Sequence, residues 1–242
     1  MKHINKSLSP VAFEDWKVNW RAKNGSSLDD LYEQEDMTGK KLWGALRTSK
    51  HTDSLYSKEE LKNALLTEQG YICCYCNRKL VYETTTHEHF WSKGTKEYFK
   101  FGYDYMNLLA SCDGFAKEPK PREVCCNEKR LEGDLLPLNP TDALIETHFD
   151  FTIDGQIIGL TADGEKMIAM LGLDINPLDD LRAVYIKDAL YENPFEDTKT
   201  FISKNKALEA IEKLKVRQNG QFEPFCTAVI KVLQNEIINQ NE

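Results

Sequence analysis

Apolar positions along the chain alternate between helical and strand periods, and the changes of period divide it. Residues 10–22 place Phe13, Trp16 and Trp20 on or near one face of a helix, which Asn24-Gly25-Ser26-Ser27 breaks. That aromatic stripe reads as core packing rather than as a surface for stacking bases. Ser57-Lys58-Glu59-Glu60 forms a capping box that predicts a helix start, with Leu61, Leu65 and Leu66 as its apolar face and Gly70 as its stop. Residues 71–82 then read as a short hairpin, residues 102–109 as a short helical or extended piece, and 113–124 as a polar loop containing Pro119 and Pro121. Phe149, Phe151 and Ile153 alternate, Asp154-Gly155 supplies a two-residue turn, and Ile157-Ile158 begin a return strand. From residue 162 onward the pattern is helical. Asn176-Pro177 opens one helix, and residues 203–216 and 222–238 form two further amphipathic stretches. The pattern predicts an α+β chain with an N-terminal helical arm (1–56), a central module (57–140), and a hairpin followed by C-terminal helices (141–242).

Composition narrows this. A chain of 242 residues can bury a sizeable core. No apolar run approaches a membrane span, and Met1-Lys2-His3-Ile4-Asn5-Lys6 lacks the apolar stretch of a signal peptide, so a cytoplasmic location without membrane contact is expected. In that compartment cysteines serve as metal ligands or buried apolar groups more often than as disulfides. Six of the seven lie between residues 73 and 126. The net charge of −8 argues against broad nucleic-acid affinity of the whole chain. Residues 91–130 differ, with eight Lys/Arg against six Asp/Glu.

The candidate chemistry is concentrated in the central module. Cys73 and Cys76 form a CxxC pair that a tight turn can aim at one ion. Cys112 is the natural third ligand, and Cys126 or Cys125 the fourth. Between the clusters stands His87-Glu88-His89. Histidines two apart cannot share a helix face as the HExxH of zinc proteases requires, which disfavours a metalloprotease.

Together, Gly70-Tyr71-Ile72-Cys73-Cys74-Tyr75-Cys76, Glu88-His89-Phe90 with Lys93 after it, Asn107-Leu108-Leu109-Ala110-Ser111-Cys112-Asp113-Gly114 and Cys125-Cys126-Asn127-Glu128-Lys129-Arg130 resemble the HNH (ββα-metal) endonuclease superfamily. Within it they resemble the nuclease subunit of Septu-type antiphage systems, also found in retron-associated modules. The resemblance covers roughly residues 57–140. It implies a zinc-braced ββα-metal core with Cys126 as the fourth zinc ligand, since it directly precedes Asn127. Asn127 stands where the superfamily often has His.

It further implies phosphodiester hydrolysis. His89 is then the general base, and Glu88 and Asn127 are oxygen ligands for a catalytic Mg2+ or Mn2+. Asn107 holds the His89 ring or its loop, and Lys129 and Arg130 contact phosphate. For Glu88 and His89 to converge, the strand carrying them is expected to bend or bulge, and His87 is expected to face solvent. The resemblance also implies a nucleic-acid substrate, DNA ahead of transfer RNA, and an ABC-type or SMC-like ATPase partner that docks on the flanking helices. The competing reading is an inactive zinc-knuckle module that binds nucleic acid or serves as an adaptor.

Overall fold

A computed structural model describes residues 1–24, 30, 32–48, 52–117, 123–196 and 198–241. Helix α1 (Val11–Asn24) forms where the aromatic stripe predicts it. Phe13 and Trp16 are buried and stack on each other, and Trp16 meets the edge of Tyr103. The stripe is core. Residues 25–27 of the predicted break lie outside the described residues. Helix α2 (Gly39–Thr48) has no counterpart in the predicted elements. Leu42 and Leu46, one turn apart, are its buried anchors. Helix α3 (Thr52–Glu68) begins ahead of the Ser57 capping box, so the box lies inside the helix rather than at its start. Leu61, Leu65 and Leu66 form its buried face.

Strand β1 (Thr86–His89) pairs antiparallel with β2 (Leu108–Ser111), with His87 opposite Ala110, Glu88 opposite Leu109 and His89 opposite Leu108. A single-turn helix α4 (Cys126–Lys129) completes a ββα unit. A second two-stranded sheet pairs β3 (Phe149–Phe151) with β4 (Ile157–Gly159). Its connection is longer than the predicted Asp154-Gly155 turn: residues 152–156 form the loop, closed by Thr152 N–H to the Gln156 carbonyl. Helices α5 (Ala162–Leu171), α6 (Asn176–Leu190), α7 (Lys204–Lys215) and α8 (Cys226–Leu233) follow.

One hydrophobic core runs through all three sequence segments, from Met1 and Phe13 through Leu65, Leu109 and Phe149 to Val229 and Ile237. Polar contacts lock the segments as well. Lys6 and Glu68 form an ion pair at 2.6 Å with both side chains 2% exposed, and the Ser7 backbone and hydroxyl donate to the same carboxylate. At the other end, Phe225 N–H donates to the Asn77 carbonyl and the Thr227 hydroxyl to the Asn77 side chain. Helix α8, expected as docking surface, therefore caps the turn that carries the CxxC pair. It buries Val229, Val232 and Leu233, each stabilising the fold by roughly 1.5–3 kcal/mol. Gly70 makes the approach possible. Its φ of +60° ends α3, and a Cβ there would stand 2.5 Å from the Phe222 ring.

Candidate metal centre and cleft

The CxxC turn is built by its own backbone. Cys73 N–H donates to the Arg78 carbonyl, Ile72 bridges to Lys79, and Asn77 takes a left-handed conformation with φ +62°. Amide groups point at the sulfurs: Cys112 N–H at Cys73 Sγ (3.3 Å) and Arg78 N–H at Cys76 Sγ (3.4 Å). The strand β2 delivers Cys112 at its end. Gly114 (φ +56°) brings in the last cysteine, because a Cβ there would stand 2.1 Å from the Cys125 carbonyl oxygen. The chain can then double back so that Cys125 N–H reaches the Gly114 carbonyl and α4 starts at Cys126.

The outcome is four buried sulfurs, of Cys73, Cys76, Cys112 and Cys126, all within 4.8 Å of one another. Cys73 and Cys126 are 3.8 Å apart, as are Cys76 and Cys112. Ligands about 2.3 Å from a tetrahedral zinc ion stand about 3.8 Å from each other. The donor set and its spacing fit a closed structural metal site. Of the two adjacent candidates, Cys126 joins the cluster and Cys125 does not, although Cys125 is equally buried. Cys74 is buried too, and burial pushes its thiol well above the usual range, so it remains a protonated apolar neighbour.

Beside the cluster, a cleft of about 250 Å³ is lined by Glu88, His89, Ser92, Lys93, Gly94, Asn127, Arg130, Leu131 and Glu132. Four predicted site residues, Glu88 and His89 on β1 with Asn127 and Arg130 on and just after α4, thus meet in one place. The β1–β2 ladder is continuous through Glu88 and His89, without the expected bulge. Alternation sends the two side chains to opposite faces. Both nevertheless line the cleft.

Glu88 Oε1 accepts from the Tyr75 hydroxyl (2.8 Å) and from Arg130 Nη1 (2.5 Å). Burial raises its carboxyl pKa, against the opposing pull of Arg130 and Tyr75. A carboxylate has about four lone-pair sites, so acceptor capacity remains for an ion. His89 is 3% exposed, and its ring meets Trp43 edge-on at 4.6 Å. Its Nε2 lies 3.1 Å from the Gly102 carbonyl. A carbonyl only accepts, so the proton sits on Nε2 and Nδ1 carries a lone pair. That Nδ1 is buried and has no partner. Burial, aided by Lys93, pulls the His89 pKa down to about 3.

Asn107 lies beneath this site. Its side chain accepts from Trp91 N–H (2.7 Å) and donates to the carbonyls of Phe101 (2.9 Å) and Trp91 (3.2 Å). It holds the loop rather than the His89 ring. Asn127 Nδ2 points to the Thr86 hydroxyl at 3.4 Å.

Two expected phosphate contacts stand differently. Arg130 spends both Nη groups on Glu88 and on the carbonyls of His89, Phe90 and Asp134, which makes it an internal brace. Lys129 is exposed, but its stem runs past Gly172 at the end of α5, away from the cleft. Lys93 and Ser92 line the cleft instead. His87, expected to face solvent, tilts against Trp43 with its Nε2 buried, and burial lowers its pKa to about 3. Trp43 and Tyr75 are contributors that the linear motif does not reveal. Tyr75 stands inside the CxxC pair, but Trp43 is far from the motif in sequence.

No family model matches the chain. It is 29% identical over 160 residues to the protein named "Retron Vc95 putative HNH endonuclease" of Vibrio cholerae serotype O1 biovar El Tor, across 60% of this chain and 75% of that one. The chain is thus similar to a protein whose name places it among retron HNH endonucleases, in agreement with the superfamily its motifs resemble.

Proposed function

We propose that this chain is a metal-dependent HNH endonuclease that hydrolyses phosphodiester bonds. One observation carries the proposal: a buried histidine nitrogen with a free lone pair shares a cleft with a carboxylate and a carboxamide. In this reading Cys73, Cys76, Cys112 and Cys126 hold a structural Zn2+, and Glu88 and Asn127 hold Mg2+ or Mn2+. The catalytic ion, when bound, withdraws charge from the scissile phosphate and the leaving oxygen.

The chain's own residues supply the proton chemistry. His89 Nδ1 takes a proton from water, and the Gly102 carbonyl, bonded to Nε2–H, holds the ring and stabilises its charged form. Asn107 fixes Phe101, the neighbour of Gly102, and so positions that carbonyl. Arg130 and Tyr75 aim the Glu88 carboxylate. Because Cys126 adjoins Asn127, the zinc site anchors the metal ligand of the cleft.

The net charge of −8 supports a partner that brings the substrate, here an ABC-type or SMC-like ATPase, and the retron name of the relative supports a role in antiphage defence. DNA is the favoured substrate, with transfer RNA the alternative. The test is Mg2+-dependent cleavage of DNA and of transfer RNA by the chain, alone and with a co-expressed ATPase of that class. Loss of cleavage in His89→Gln supports the proposal, and wild-type cleavage by that variant overturns it. Binding without any cleavage would favour the inactive zinc-knuckle reading.

A further inference from the structure

The loop between β1 and β2 carries a row of aromatic rings that the chemistry above does not use. Trp91 stacks on Tyr98 at 5.2 Å and 27°, and Tyr98 on Phe101 at 6.4 Å and 29°. Phe90 supports Trp91 edge-on at 5.0 Å. Lys100 Nζ lies 5.1 Å from the Phe101 ring centre and covers that end of the row. Trp91, at the other end, is 38% exposed.

The row is built rather than accidental. Asn107 bonds the backbone at both of its ends, through Trp91 N–H and carbonyl and through the Phe101 carbonyl. Ser92, next to Trp91, accepts from Gly94 N–H and Gly133 N–H, which ties the start of the loop to the segment after α4. The row is also continuous with the cleft, since Ser92, Lys93 and Gly94 follow Trp91 directly and line it. Its charge suits an anion: Lys93, Lys96 and Lys100 are interleaved with the rings, against Glu97 and Asp104. Asp104 is engaged in capping Met106 N–H.

We propose that Trp91, Tyr98 and Phe101 form a stacking platform for unpaired bases of the substrate strand, beside the phosphate held in the cleft. The proposal rests on the nuclease reading for the identity of the ligand and extends it to the kind of strand bound. A base extends the row at the exposed part of the Trp91 indole, and every base has a π-face, so the platform selects single-stranded segments without selecting sequence. Paired bases inside a duplex offer no such face. Lysines between the rings follow the backbone of the same strand.

The test is binding rather than cleavage, so it stands apart from the nuclease reading. In a His89→Gln background with Mg2+, fluorescein-labelled oligo(dT) and a duplex of equal length are titrated by anisotropy. Trp91→Leu and Tyr98→Leu are each expected to weaken oligo(dT) binding between about 5-fold and 150-fold. They should change duplex binding much less, and Trp91→Phe should restore most of the loss. Unchanged oligo(dT) affinity, or an equal loss for both ligands, overturns the proposal. Where a variant misfolds, photocrosslinking the otherwise wild-type chain to an oligonucleotide bearing 5-iodouracil decides. A crosslink at Trp91 or Tyr98 supports the platform, and crosslinks only elsewhere overturn it. An absence of cleavage by the wild type, with Trp91-dependent oligo(dT) binding intact, would remove the nuclease reading and leave the platform standing.

Discussion

Arg130 Nη1 stands 2.5 Å from Glu88 Oε1, and both side chains are 5% exposed. The pair joins α4 to β1 across the cleft and fixes the carboxylate that the proposed mechanism uses. Removing one member of a buried pair leaves an uncompensated charge and costs about 3–5 kcal/mol. Arg130→Met is therefore expected to lower the unfolding free energy by that order, measured by denaturant titration. Glu88→Gln/Arg130→Met should recover much of the stability while remaining inactive. A fully stable Arg130→Met with weakened nucleic-acid binding would return Arg130 to phosphate contact.

The cysteine cluster predicts one tightly held zinc per chain in protein purified without added metal, measured by elemental analysis. Cys73→Ser and Cys126→Ser should each lose it. Cys125→Ser and Cys74→Ser should keep it, because those sulfurs lie outside the cluster. Chelation should unfold the central module, since the binding energy of the metal is part of its folding energy. Zinc lost equally from Cys125→Ser and Cys126→Ser would argue against the assignment.

His89→Gln is expected to lower the cleavage rate by about 10²-fold to 10⁴-fold with zinc content unchanged. The His89 pKa is about 3, and a bound divalent cation would depress it further. The base is thus neutral throughout the physiological range. The rate–pH profile should show no acid limb centred at the ordinary histidine value of about 6.5. A limb at that value would mean that the base is solvated during turnover.

Stability against acid follows from the same burial. His87 and His89 both have folded pKa values of about 3. As pH falls below about 6.5 the unfolded chain takes up protons that the folded chain refuses. The stability they contribute is therefore full above about pH 6.5 and is lost progressively down to about pH 3. His87→Gln should flatten this fall, read from urea midpoints across the range. An unchanged slope would place His87 in solvent.

Deleting residues 222–238 is expected to release zinc and unfold the central module. The segment is then structural as well as a candidate docking surface. The segment buries Phe225, Val229, Val232 and Leu233 and satisfies Asn77 in the CxxC turn. A truncated chain that holds its zinc with an unchanged thermal transition would contradict this.

The linear pattern was sufficient for the groups whose chemistry is local. A CxxC turn, a Glu-His step and a Cys-Asn step each set a few dihedrals and a side-chain type, and these are legible in order along the chain. So are the helices with a clear apolar face, such as α1 and α6. Tertiary structure shows why Cys126, the ligand the resemblance implies, faces the cluster where Cys125 does not. Cys126 rather than Cys125 joins the cluster because Gly114 admits the Cys125 carbonyl at close range and sets the direction of the next side chain. It also decided the partners of charged groups. Arg130 reads as a surface cation beside Lys129, but the fold turns it onto Glu88 and three carbonyls, whereas Lys129 leaves toward Gly172. Trp43 reaches His89 from a helix more than forty residues earlier, and α8 reaches Asn77 from 150 residues later. Such contacts depend on how separate faces are packed together in space, and no local periodicity encodes that.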